Sequence, residues 1–137
     1  VSRVIIWFDL AIYLAVYTYC LREHRSGWQY LTGMVIGAVG FVLWLIARIQ
    51  LGDSFSPRAV ARKLVTTGLY SRFRHPVYLF STIGIAGICF AMHWYVFGAI
   101  YVIFLSLVQW VRARAESRVL LAAFGEQYRE YRARTWF

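Results

Sequence analysis

Acids are scarce in this chain. Six Asp and Glu stand against 15 Lys and Arg, a formal net charge of +9 over 137 residues. Charged residues of both signs make up only 15%, whereas a soluble domain carries about 25%. A surface exposed to water on all sides is not expected. Two prolines and two cysteines leave neither a proline-rich linker nor a disulfide framework. Cys20 and Cys89 lie in or beside apolar runs without metal-ligand spacing, and read as buried small apolar residues; no metal site is expected. There is no Gly-x-Gly-x-x-Gly turn, P-loop, His-Glu-x-x-His or nucleophile elbow. A nucleotide-containing ligand would therefore be gripped by loops and helix ends, not by a soluble sheet.

What the chain does have is apolar surface. Hydrophobic residues reach 61%, which excludes disorder, and the length fits one domain. Val4 to Leu21 carries one charge, Asp9, and Ser26 to Ala47 carries none. Val77 to Val111 is again uncharged, with His93 counted as neutral. A helix crossing hydrocarbon needs about 20 apolar residues. The first two runs predict one span each. The third is too long for one and slightly short for two, and predicts a tight helical hairpin turning near Met92, His93 and Trp94. The expectation is an all-α integral membrane protein of four transmembrane helices, at about 4–22, 27–48, 76–92 and 94–112. The last two form a hairpin, with a cytoplasmic cofactor-binding loop at 58–78 and an amphipathic C-terminal segment within a motif region at 112–131.

Orientation follows from the cations. With four spans, the N-terminus, the middle loop and the C-terminus share one side, and only Arg22 and Arg25 fall on the other. That asymmetry puts both termini in the cytoplasm. It also makes anionic headgroups a better partner for the net charge than nucleic acid. A cleavable signal peptide is a poor reading, because Cys20-Leu21-Arg22-Glu23 ends the first run like a span. Gly33 and Gly37 have the spacing that lets helices approach closely, within the chain or in a homodimer. Asp9, inside a span, can pair with Arg3 or Arg48 near the same face. His93, at the far-side turn, reads as an interfacial residue.

Two segments are too specific to be connectors. In the middle loop, Pro76 suits the first position of a helix and pushes His75 to its cap. The free N–H groups after Pro76 then form an anion-attracting end beside His75, Tyr78, Arg72 and Arg74. The plainer alternative is a basic loop holding lipid headgroups, with His75 only a cap. In the second segment, Arg112, Glu116, Leu120 and Phe124 are four apart and share a helical stripe, so Arg112 and Glu116 can meet one ligand. Here the alternative is an ordinary surface ion pair. Gly125 suits a helix C-terminus. Tyr128, Tyr131, Trp136 and Phe137, mixed with arginines, suit a segment lying on the membrane surface.

Arg74-His75-Pro76-Val77-Tyr78, preceded by Gly68-Leu69-Tyr70, resembles the Arg-His-Pro-x-Tyr signature of the isoprenylcysteine carboxyl methyltransferase and phospholipid methyltransferase superfamily. Glu116, Leu120, Phe124-Gly125, Tyr128 and Tyr131 resemble its second motif, Glu-Glu-x-x-Leu followed by Phe-Gly-x-x-Tyr-x-x-Tyr. Ser117 stands where the second Glu is usual, and Phe80 where a Gly is common. The resemblance implies S-adenosyl-L-methionine as methyl donor. It places Arg62, Lys63, Leu64, Val65, Tyr70, His75, Pro76, Val77 and Tyr78 on the cofactor side, and Arg112 and Glu116 on the catalytic, acceptor side. The implied acceptor is hydrophobic or lipid-tailed and comes from the bilayer; the donor comes from the cytosol. Two other readings stay open: a non-catalytic scaffold or headgroup-binding subunit with the same fold, and a membrane reductase.

Overall fold

A computed structural model describes residues 2–23, 25–52 and 64–136; within the first helix it describes the side chains of Trp7 and of Leu10 onward. The order is α1 (Ser2–Arg22), α2 (Trp28–Leu51), a 3-10 turn (Gly68–Ser71), α3 (Pro76–Ala91) and α4 (Tyr95–Arg134). Apart from one isolated bridge between Phe73 and Trp136, no β-structure occurs among the described residues. The all-helical expectation holds. Two of the helices, α2 and α4, are long and apolar enough to cross a membrane, where the sequence predicts four spans. For α3 the difference is one of length. α3 has 16 residues, about 24 Å at 1.5 Å per residue, against about 30 Å of hydrocarbon. Pro76 starts it, and the turn at Met92 to Trp94 ends it. That turn is where the sequence expects it. His93 there has φ 59, and its Nε2 lies 2.8 Å from Gln29 Oε1.

α2 and α3 pack through glycines. A Cβ on Gly40 would lie 2.6 Å from the Gly84 nitrogen, and one on Gly87 would lie 2.5 Å from the Gly37 nitrogen. Gly33 faces Ala91 in the same way. The small-residue face of α2 is thus consumed inside the chain, and it leaves no such face for a second copy. α1 closes on α2 through tyrosines. The Tyr13 ring stacks on Phe41 at 3.8 Å, and Tyr17 donates to the Met34 carbonyl at 3.2 Å. Tyr30 of α2 donates back to the Cys20 carbonyl at 3.1 Å. Cys20 and Cys89 are free and buried, as their apolar setting implies. The outer face of α4 is bare: Phe97, Ile100, Phe104, Leu107 and Val111 are all exposed. A continuous apolar surface of this kind calls for lipid or a partner to cover it.

The C-terminal segment continues the last helix. α4 runs on to Arg134 across a break at Gly125 (φ 52, ψ −120), a backbone geometry that glycine adopts without strain. Beyond the break Tyr128 and Tyr131 are buried, so this stretch docks on the chain through those two side chains, while Trp136 stays exposed. Asp9's side chain, and any pairing with Arg3, lies outside the described residues, as do Arg58, Arg62 and Lys63.

Candidate active site

The site forms where the loop before α3 meets the polar half of α4. Gly68 (φ 63) opens the 3-10 turn, and the Leu69 N–H donates to Gln50 Oε1 at 2.8 Å, which ties the loop to the end of α2. Tyr70 is thereby tucked under the loop. It packs with Ala47 and Val77, and Val65, Leu69 and Tyr78 close around them. Leu64 is half-buried beside this cluster in sequence. Pro76 begins α3 as predicted, and His75 sits at the cap with a non-helical backbone (φ −129, ψ 57). Its side chain makes no capping hydrogen bond. Instead His75 Nδ1 lies 3.4 Å from Glu116 Oε2, with His75 buried and Glu116 one-third exposed.

This contact joins the two motifs. The Tyr78 hydroxyl has Glu116 as a hydrogen-bond partner, and the Arg112 guanidinium lies 5.8 Å from the centre of the Tyr78 ring. Arg112 and Glu116 therefore do not pair with each other as neighbours on one helix. Both reach α3. Arg48 completes the group: it is 3% exposed, stands 5.7 Å from the Trp44 ring centre, and is close enough for its charge to act on the Tyr70 and Tyr78 hydroxyls. The sequence offered Arg48 only as a partner for Asp9. A cation in the last turn of an apolar helix, level with a basic loop, was the signal for a site role.

One expectation narrows. The N–H groups of Tyr78 and Leu79 both donate to the His75 carbonyl at 3.1 Å, so fewer free donors remain at the start of α3 than its sequence suggests. Arg74 Nε, in the residue before His75, is buried with no hydrogen-bond partner among the described residues. Burial first, then the charge of Glu116, holds the Tyr70 hydroxyl well above the usual tyrosine range, so it acts as a neutral hydrogen-bonding group.

The C-terminal arm seals the loop. Tyr131 donates to the Tyr70 carbonyl at 2.8 Å. Around it, Arg74 N–H donates to the Trp136 carbonyl at 2.9 Å, and Trp136 N–H to the Arg72 carbonyl at 2.6 Å. Tyr128 donates to Ser117 Oγ at 2.9 Å. The residue in place of the usual second Glu is thus a hydrogen-bond seat for the arm. Burial and then Tyr128 push the Tyr131 hydroxyl up to about 12. Because the folded value exceeds the unfolded one of about 10, the clasp's contribution is complete below pH 10 and is lost as pH rises towards 12. In thermal melts between pH 9 and 11.5, the unaltered protein should lose more stability than Tyr131→Phe; equal slopes would show that the hydroxyl is not held.

Among the described residues the chain is thus all-helical, with a histidine–carboxylate contact at the base of apolar helices. The chain belongs to the phospholipid methyltransferase family, whose model matches residues 28–127, from the first residue of α2 to just past Gly125. No curated protein matches it. Membership implies methyl transfer with lipids as the acceptor class, and members of the family are membrane proteins.

Proposed function

We propose that this protein transfers the methyl group of S-adenosyl-L-methionine to a lipid-like or hydrophobic acceptor at the membrane–cytosol interface. The observation that carries the reading is the 3.4 Å approach of His75 to Glu116, which brings two motifs far apart in sequence to one place. Tyr70, His75, Pro76, Val77 and Tyr78, with Leu64 and Val65, form the cofactor side; Arg62 and Lys63 extend it by sequence position. The residues suit this ligand. The aromatic faces of Tyr70 and Tyr78 favour a cation, and the buried Arg74 Nε favours an anionic end.

When bound, S-adenosyl-L-methionine supplies a methyl group on a positively charged sulfur, transferred by in-line displacement. The chain's own contribution is placement. Tyr70, His75 and Tyr78 fix the donor side, and the buried cluster beneath them excludes water. Arg112 and Glu116 orient the acceptor's polar head from the other side. In this reading all four helices lie across the bilayer with both termini in the cytoplasm. The loop and the end of α4 then meet the cytosol, and the bare face of α4 meets lipid.

The test is calorimetry on the full chain in detergent. His75→Ala and Tyr78→Ala should each weaken donor affinity roughly tenfold or more, which corresponds to about 1.4 kcal/mol. Unchanged affinity in both would overturn the assignment. A scaffold with the same fold would bind no donor at all.

A further inference from the structure

Gln109 is the only amide side chain between Val77 and Val111. Its Nε2 donates to Ser81 Oγ at 3.0 Å, and its Oε1 accepts from Thr82 Oγ1 at 2.9 Å. Hydroxyls both give and take hydrogen bonds, so two bonds form whichever way the amide faces. The three residues join α3 to α4 within the apolar stretch, just beneath the site.

Their place in the register matters. α3 and α4 are antiparallel, and three contacts follow one another along them: His75 with Glu116, Tyr78 with Arg112, and Ser81 and Thr82 with Gln109. From His75 to Thr82, and from Gln109 to Glu116, is seven residues, or two helical turns. Each set therefore shares one face of its helix. We propose that Gln109, with Ser81 and Thr82, is a positioning device that fixes the register of α4 on α3 and so holds Glu116 at His75 and Arg112 at Tyr78. This rests on the methyl-transfer reading for its effect on rate, though not for its geometry.

The physical reason is an asymmetry in what each partner loses if α4 slides. Apolar side chains exchange one apolar neighbour for another at little loss, and lipid does not oppose the change. Ser81 and Thr82 also lose little: Ser81 donates to the Tyr78 carbonyl at 2.9 Å, and Thr82, whose one hydroxyl proton goes to Gln109, has that same carbonyl 3.0 Å away to turn to. Gln109 has no such fallback on its own helix. A slide of one turn, about 5.4 Å, leaves both ends of its amide unpaired among apolar groups, which is strongly disfavoured. Neighbouring anchors do not replace it. Gly98 against Cys89 is a contact of shape at the far end of the hairpin, and the Tyr131 clasp lies beyond the break at Gly125. Gln109 is thus the polar pin nearest the reacting end within the straight part of α4.

The experiment uses the full chain in lipid nanodiscs, methyl-labelled S-adenosyl-L-methionine and phosphatidylethanolamine-rich vesicle lipid as acceptor probe. Gln109→Leu should lower kcat roughly 10- to 100-fold, because a displacement of about 1 Å suffices for that. Donor Kd should stay within about twofold, since the loop and the start of α3 are not altered. Ser81→Ala with Thr82→Val should give the same loss, and all three changes together should lose no more than Gln109→Leu alone. Histidine-selective NMR at fixed pH supplies a reading free of turnover: the His75 ring resonances should move in Gln109→Leu as they do in Glu116→Gln. Unchanged kcat, or losses that multiply, would overturn the proposal. An unmoved His75 resonance would do so too, even if the unaltered chain proved to have no methyltransferase activity. Should Gln109→Leu fail to fold, the paired hydroxyl variant carries the same test.

Discussion

Glu116→Gln is expected to lower methyl transfer roughly 100-fold, the scale found when one preorganised electrostatic contact is removed from an active site. Glutamine keeps the length and shape of the side chain, so α4 and its approach to α3 should persist. What disappears is the negative charge that faces His75 at 3.4 Å and the Tyr78 hydroxyl. Arg112, 5.8 Å from the Tyr78 ring centre, then adds a positive charge to the acceptor side with no carboxylate to balance it. An acceptor head oriented between Arg112 and Glu116 would lose half of its fixed surroundings. The cofactor side, built on the loop and the start of α3, is left intact, and donor affinity should change by less than about threefold. Turnover of methyl-labelled donor on membrane lipids, beside calorimetry of donor binding, separates the two effects. If Glu116→Gln keeps full turnover, the carboxylate has no part in the reaction and Arg112 must orient the acceptor alone.

How far the sequence could be read depended on the kind of signal. Pro76 announces a helix start through its own backbone chemistry, and His75 beside it was legible as the cap. The turn at Met92 to Trp94 was legible from the length of the uncharged run. The fourfold spacing of Arg112 and Glu116 put both on one stripe, and both do face α3. Three features were not legible, each because it depends on a partner distant in sequence. Arg48 enters the site only because α2 packs beside the loop. Gln109 carries no signal in its own run, and only the packing of α3 sets Ser81 and Thr82 opposite it. The arm after Gly125 has the composition of a surface segment, and periodicity cannot say that Tyr131 will find the Tyr70 carbonyl. Both ends of α3 were legible too, in Pro76 and the turn, and the uncharged run already read as slightly short for two standard spans; at 16 residues α3 falls below the length of a full crossing.

Gly87→Leu should have the largest effect on the fold. The missing side chain lets α2 and α3 touch backbone to backbone: a Cβ there would lie 2.5 Å from the Gly37 nitrogen and 2.8 Å from the Gly33 carbonyl oxygen. No rotamer relieves that clash, because the obstruction is main chain and not a flexible side-chain tip. The helices must part, at a cost of about 3 kcal/mol or more, the upper range for overpacking in a close-packed core. Parting them also removes Arg48, on α2, from Tyr78, on α3, so whatever folds should bind the donor weakly. Ala99→Leu makes a similar increase in size on the exposed face of α4 and should stay within about 0.5 kcal/mol. Thermal unfolding in one detergent compares the two. If Gly87→Leu melts with Ala99→Leu and the unaltered chain, α2 and α3 are not in backbone contact, and the placement of His75 relative to Arg48 fails with it.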